Sequence, residues 1–187
     1  MKLFYIAFAG VLYLASFVGD VFAADTMTIQ LKSGPVVIEL APDVAPKHVA
    51  QIEALAKKGA YDNVAFHRVI DGFMAQTGDV QYGNMEKGFN AQRAGTGGSD
   101  MADIPAEFSK TPFTRGVVGM ARSSDPNSAN SQFFIMFADG PFLNGQYTVV
   151  GKVVSGMEAV DKIKRGAGGN GEVSNPDRMI KVTVGKK

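Results

Sequence analysis

The feature that most restricts the fold is a rhythm of short apolar runs, many of them alternating, separated by glycine-rich and polar turns. "MTIQLKSGPVVIEL" begins it as a β-hairpin: Met27, Ile29 and Leu31 alternate, Ser33-Gly34 supplies the turn, and Val36 to Leu40 returns. Further strands are predicted over 65–70, 73–77, 117–121, 132–137, 149–154 and 180–184. Two stretches carry helical spacing. "APKHVAQIEALAKKG" has Pro46 in its first turn, Val49, Ile52 and Leu55 on one face, and Gly59 as its stop. "GMEAVDKIK" sets Met157, Val160 and Ile163 on one side. Two helices far apart among many short strands predict a mainly β fold, a closed antiparallel barrel with helical caps. The strand–helix alternation of a parallel sheet is missing.

The 187 residues suit one domain with one sizeable core. "MKLFYIAFAGVLYLASFVGDVFA" stands apart: Lys2, an apolar run from 3 to 18, then small residues at Ala23. That is the layout of a secretory signal peptide, and the run is short for a membrane span and closed by Asp20. Residues 1–23 are therefore expected to be cleaved, with Ala24 as the neighbouring exit, leaving 24–187 as the working domain after export. A retained N-terminal membrane anchor is the less favoured reading. Lys and Arg total 19 against 18 Asp and Glu, so the net charge of +1 makes no case for nucleic acid or an anionic membrane. With no cysteine and only His48 and His67, thiolate chemistry and thiolate or all-imidazole metal sites are ruled out or disfavoured. An exported domain also works where ATP is generally absent, so a function needing no energy source fits best.

Several motifs are set aside. "GAGGNG" at 166–171 satisfies a dinucleotide pattern but follows a helix and opens none, so it reads as a flexible loop. "SSDPNSANS" at 123–131 is an ordered loop between strands, and 78–103 is a long surface excursion. His48 is expected on the solvated side of its helix, away from Val49 and Ile52. His67 is expected to be buried, hydrogen-bonded and structural rather than directly catalytic.

"FHRVIDGFMAQTGD" at 66–79 places Arg68 inside an apolar run, predicted to share a face with Phe66 and Ile70. Alone, such an arginine is compatible with a structural or surface ion pair. Two other segments add to it. "GVVGMARSSDPNSANSQFFIMF" offers Gln132 and Phe134 on one face, and "GPFLNGQYTVVGKVV" offers Phe142 and Leu143 before an Asn-Gly turn, then Tyr147.

With "GTGG" at 95–98 and "FLNGQYTVVGKVVSGMEAVDKI", these blocks, in this order, make the chain resemble the cyclophilins, peptidyl-prolyl cis-trans isomerases, over essentially 24–187. The export signal makes it similar to bacterial periplasmic members. The resemblance implies an eight-stranded antiparallel barrel capped by two helices, no cofactor and no metal. It implies that Arg68 is the catalytic arginine and that Phe73, Met74, Phe134 and Leu143 receive the proline ring. It assigns Gln76 and Gln132 to the polar wall, and Ala121 and Arg122 to the stretch whose backbone holds the residue preceding proline. The implied partners are proline-containing peptides and exported proteins that are unfolded or still folding, with the domain a monomer free of the membrane after cleavage.

Departures from the family pattern accompany it. Phe142 stands where many eukaryotic members carry tryptophan, Tyr147 where they carry histidine, Arg122 where asparagine is common and Asp71 where proline is frequent. Loss of the indole removes apolar area and a donor, so cyclosporin binding is expected to be weak. The alternative reading is a proline-peptide binding module or holdase chaperone in which turnover is incidental.

Overall fold

The computed structural model describes residues 25–186; the expected signal peptide lies outside the described residues. The chain runs β1 (Asp25–Leu31), β2 (Gly34–Leu40), α1 (Pro46–Lys57), β3 (Val64–Ala65), β4 (Arg68–Ile70), β5 (Met74–Thr77), β6 (Val117–Met120) and β7 (Phe133–Met136). A 3₁₀ turn (Pro141–Leu143) leads to β8 (Val149–Ser155), α2 (Met157–Val160), β9 (Arg178–Met179) and β10 (Lys181–Lys186). The first hairpin closes through Lys32 and Ser33, with Gly34 already paired to Leu31 as the first residue of β2.

One mainly antiparallel sheet contains eight strands in the order β10-β1-β2-β8-β6-β7-β5-β4. It curls round a core in which Met27, Ile29, Ile38, Phe66, Val69, Val118, Phe133, Ile135 and Val150 are fully buried. α1 packs against β10 and α2 against β2. The ladder does not close. β4 and β10 stand at its two ends without pairing, so the closed barrel expected from the sequence is corrected to an open, curled sheet. The physical cause is a break in the run predicted over 65–70. β3 pairs with β9 in a separate two-stranded sheet, and the chain passes through Phe66 and His67 before β4 joins β5. Changing partners turns the strand, which places Phe66 in the main core rather than on the face of Arg68.

The outer edge of β4 is covered by a loop. Gly171 O accepts from Val69 N–H at 2.7 Å, Val69 O accepts from Gly166 N–H at 2.8 Å, and His67 O accepts from Val173 N–H at 3.1 Å. Gly171 has φ +73°, and a Cβ there would meet Ile70 Cγ1 at 2.5 Å, so glycine allows this close approach.

His48 is a second correction. It is fully buried, and its Nδ1–H donates to Glu107 Oε2 at 2.7 Å. The N-terminal residue Ala45 gives α1 no side-chain cap. Glu107 instead accepts from the N–H groups of Lys47 and His48 at 3.1–3.2 Å, a remote carboxylate satisfying the orphan donors of the first turn. Burial pulls the Glu107 carboxyl upward, but these hydrogen bonds outweigh it and hold the group below its ordinary 4.5.

Candidate active site

In β5, β6 and β7, alternate residues face opposite ways. Ala75, Val118, Met120, Phe133 and Ile135 enter the main core, while Met74, Val117, Phe134 and Met136 form a second apolar cluster on the outer face with Phe113, Leu143 and Val149. Gly119 pairs with Phe134 across the ladder. A Cβ at Gly119 would meet Phe134 Cζ at 2.6 Å and Phe113 Cε1 at 2.5 Å, so the missing side chain is the space in which the two rings lie stacked.

Above this cluster opens a cavity of about 430 Å³ lined by Arg68, Phe73, Met74, Gln76, Ala121, Arg122, Phe134, Phe142, Leu143, Gln146 and Tyr147. Phe134 forms its floor, with Tyr147 edge-on to it at a centroid distance of 5.9 Å. Phe142, 62% exposed, stands at the rim against Phe73 at 5.4 Å. Asn144 secures the turn beneath that rim by accepting from Phe113 N–H at 2.8 Å. Ten of the eleven residues singled out in the sequence line this cavity. The other, Gln132, lines an adjoining depression of about 230 Å³ that shares Gln76, Ala121 and Arg122 with it.

Arg68 is held by its neighbours rather than by an acid. Its Nε–H donates to Asn170 O at 2.9 Å and its Nη1–H to Gln76 Oε1 at 3.2 Å. Gln76 Nε2 donates to Gln132 Oε1 at 3.0 Å, and Gln132 Nε2 donates to Gly95 O at 3.0 Å and Gly97 O at 2.8 Å. Gly95 and Gly97 in turn give their N–H groups to Asp79 Oδ2 at 2.7 and 3.0 Å. The Asp79 carboxylate is fully buried and accepts also from Gln81 and Tyr82 N–H, so it ties down the start and middle of the 78–103 excursion. One hydrogen-bonded chain thus runs from a buried acid to the guanidinium and fixes its direction.

Sequence reasoning missed Asp79, Gln146, Gly119 and the Asn170 carbonyl. Asp79 and Gln146 stand inside the motifs quoted above, yet Asp79 accepts from Gly95 and Gly97 and the Gln146 carbonyl accepts from Arg122, contacts distant in sequence. His67 is buried as expected, but its ring nitrogens have no hydrogen-bond partner among the described residues, and it does not line the cavity. Burial is the main influence lowering its pKa from 6.5.

The pocket joins an apolar floor to a wall of two guanidiniums and glutamine amides, with no carboxylate, imidazole or ammonium among its lining residues, an arrangement that suits a neutral, partly apolar group needing hydrogen-bond donors. Comparison with known proteins supplies the family. The sequence model described as "Cyclophilin type peptidyl-prolyl cis-trans isomerase/CLD" matches residues 26–184. A "Probable peptidyl-prolyl cis-trans isomerase" of Brucella suis biovar 1 (strain 1330) is 65% identical over 185 residues, covering 95% of this chain and 94% of the relative. A peptidyl-prolyl cis-trans isomerase of Dictyostelium discoideum is 37% identical over 85% of this chain and 97% of its own.

Among solved structures, a cyclophilin from Hirschia baltica superposes with TM-score 0.69 at 27% identity, over 84% of this chain and 73% of that one. A cyclophilin type isomerase from Cryptosporidium parvum, solved in the presence of the dipeptide Ala-Pro, gives 0.69 at 26% identity over 87% and 99%. The chain belongs to the cyclophilin-type peptidyl-prolyl cis-trans isomerases, and that isomerisation is its activity.

Proposed function

We propose that the 430 Å³ cavity takes the ring of a substrate proline and that Arg68 acts on the prolyl amide. The observation that carries this reading is the guanidinium, held by Gln76 and the Asn170 carbonyl, on the wall of a pocket whose floor is apolar at Phe134. The Ala-Pro dipeptide used with the Cryptosporidium parvum relative supports a proline-containing peptide as the occupant.

Conjugation holds an X-Pro bond planar behind a barrier of about 18–20 kcal/mol. Rotation breaks that conjugation and leaves a lone pair on a pyramidal prolyl nitrogen. A guanidinium N–H aimed at this nitrogen stabilises the twisted bond more than the planar one, and only such differential binding speeds the step. Each ~1.4 kcal/mol of preference is worth about tenfold in rate. Phe73, Met74, Phe134 and Leu143 grip the ring and exclude water, which strengthens the polar contact. Gln76 and Gln132 orient Arg68 and contact the peptide, while the Ala121-Arg122 backbone holds the residue before proline. Phe142 and Tyr147 close the rim, and the lack of an indole donor at Phe142 keeps cyclosporin affinity low.

In this reading residues 1–23 direct export, and the remaining domain, a monomer with no further membrane attachment, assists folding of exported proteins in the periplasm. Lys2, the apolar run and Ala23 support it. The test is magnetisation exchange between cis and trans forms of an X-Pro peptide with catalytic amounts of the 24–187 domain, alongside the mass of the protein recovered from the periplasm. Fast exchange and a mass beginning at residue 24 are expected. Peptide binding without exchange would favour the binding-module reading, and a retained N-terminus would overturn the export assignment.

A further inference from the structure

Arg122 stands where the ring cavity meets the adjoining depression and lines both. Its guanidinium lies over the Tyr147 ring, 4.5 Å from the centroid. Nε–H and Nη2–H donate to Gln146 O at 3.3 and 3.0 Å, and Nη1 donates to Ser123 O at 2.8 Å and Ser124 O at 3.4 Å. These hydrogen bonds all go to carbonyl oxygens. They fix the group in place without neutralising it, and of its five N–H donors one on Nη2 is left over.

Among the described residues no carboxylate pairs with Arg122 or with Arg68. The acid nearest in sequence, Asp125, accepts from Asn127 N–H within its own loop. The two depressions together are lined by two arginines and by no Asp, Glu, Lys or His. In a chain whose 19 Lys and Arg and 18 Asp and Glu balance to +1, this groove is a local concentration of positive charge, and the acid of its hydrogen-bonded network, Asp79, is fully buried behind Gly95 and Gly97.

We propose that Arg122 is a specificity-determining residue that selects proline segments carrying an acidic side chain in the two residues preceding the proline. The assignment rests on the isomerase reading of this groove, in which the Ala121-Arg122 backbone holds the residue before proline. A carboxylate arriving there meets a guanidinium already oriented, with a free N–H and no internal acid to displace. A lysine arriving there meets like charge. Orientation by backbone carbonyls removes much of the ordering cost that weakens exposed ion pairs.

The test compares kcat/KM for Ala-Glu-Pro-Phe, Glu-Ala-Pro-Phe, Ala-Ala-Pro-Phe, Ala-Lys-Pro-Phe and Lys-Ala-Pro-Phe peptides. For wild type, a glutamate peptide is expected to exceed its lysine counterpart by about threefold to tenfold at low salt, a margin that shrinks at high salt. In Arg122→Glu that order reverses, whatever happens to the rate on the alanine peptide. In Arg122→Lys its sign is kept, which provides the check if the charge-reversed variant does not fold. Wild-type ratios near one at both positions overturn the proposal, and so does a glutamate preference that survives in Arg122→Glu. If no peptide is turned over, the isomerase reading fails instead, and NMR titration of the same peptides still reads the charge preference as a ratio of dissociation constants.

Discussion

The two faces of β5, β6 and β7 are made from neighbouring residues and have opposite duties. The inner face, with Ala75, Val118, Phe133 and Ile135, is fully buried in the main core. The outer face, with Met74, Phe134 and Met136, is equally apolar but opens into a cavity walled by Arg68, Gln76 and Arg122. Burial alone does not separate them, since Phe134 is only 5% exposed. The difference is that the inner face is completed by the protein's own side chains, whereas the outer face borders an open cavity, the proposed seat of the proline ring. Period-two alternation lets one short strand serve stability and function with little interference.

The largest expected effect is on the outer face. Arg68→Ala is predicted to lower kcat/KM by about 100-fold, the worth of a charge-assisted hydrogen bond formed in the transition state. Its unfolding midpoint in urea should stay near wild type, because Arg68 makes no ion pair among the described residues. Ile135→Ala is the mirror case. It should cost about 2–5 kcal/mol in the same urea titration, with kcat/KM per folded molecule unchanged. Gly119→Ala tests whether the faces are separable at the point where a backbone supports a ring. The new methyl must push Phe134 or Phe113 aside, so stability should fall by about 1–3 kcal/mol. Turnover should fall by about tenfold through displacement of the pocket floor.

The smallest effect is the pH response, which should divide along the same line. The cavity lining contains no histidine or carboxylate, and a guanidinium keeps its proton throughout, so kcat/KM should be flat from about pH 6 to 8. Stability should not be flat. His67 is buried with its pKa lowered from 6.5, so as pH falls past that value the unfolded chain takes up a proton that the folded one resists. Glu107 is held below 4.5, so a second loss begins as pH falls past that value. Midpoints from urea titrations at pH 8, 6 and 4 should decline in that order, whereas a rate that tracks an imidazole titration would bring His67 into the chemistry.

Much of the site was legible in the sequence. Arg68 is conspicuous inside an apolar run, and the alternation of Gln132, Phe134 and Met136 against Phe133 and Ile135 is local information. What escaped depends on contacts between distant segments. The break at Phe66 and His67 follows from β3 choosing β9 as its partner, and the open seam between β4 and β10 follows from that. His48 lies on a flank of α1 that a helical wheel assigns to solvent, yet it is interior, with Glu107 from another loop paired to its ring. Asp79 is an ordinary turn acid in sequence. It becomes the anchor of the 78–103 excursion only when Gly95 and Gly97 fold back onto it.

The most direct measurement is NMR exchange of a single X-Pro peptide with Arg68→Ala and Ile135→Ala side by side, at a temperature where circular dichroism shows both folded. Exchange is expected to collapse with Arg68→Ala and to persist at the wild-type rate with Ile135→Ala. Wild-type exchange with a folded Arg68→Ala would remove the guanidinium from the mechanism and contradict the account.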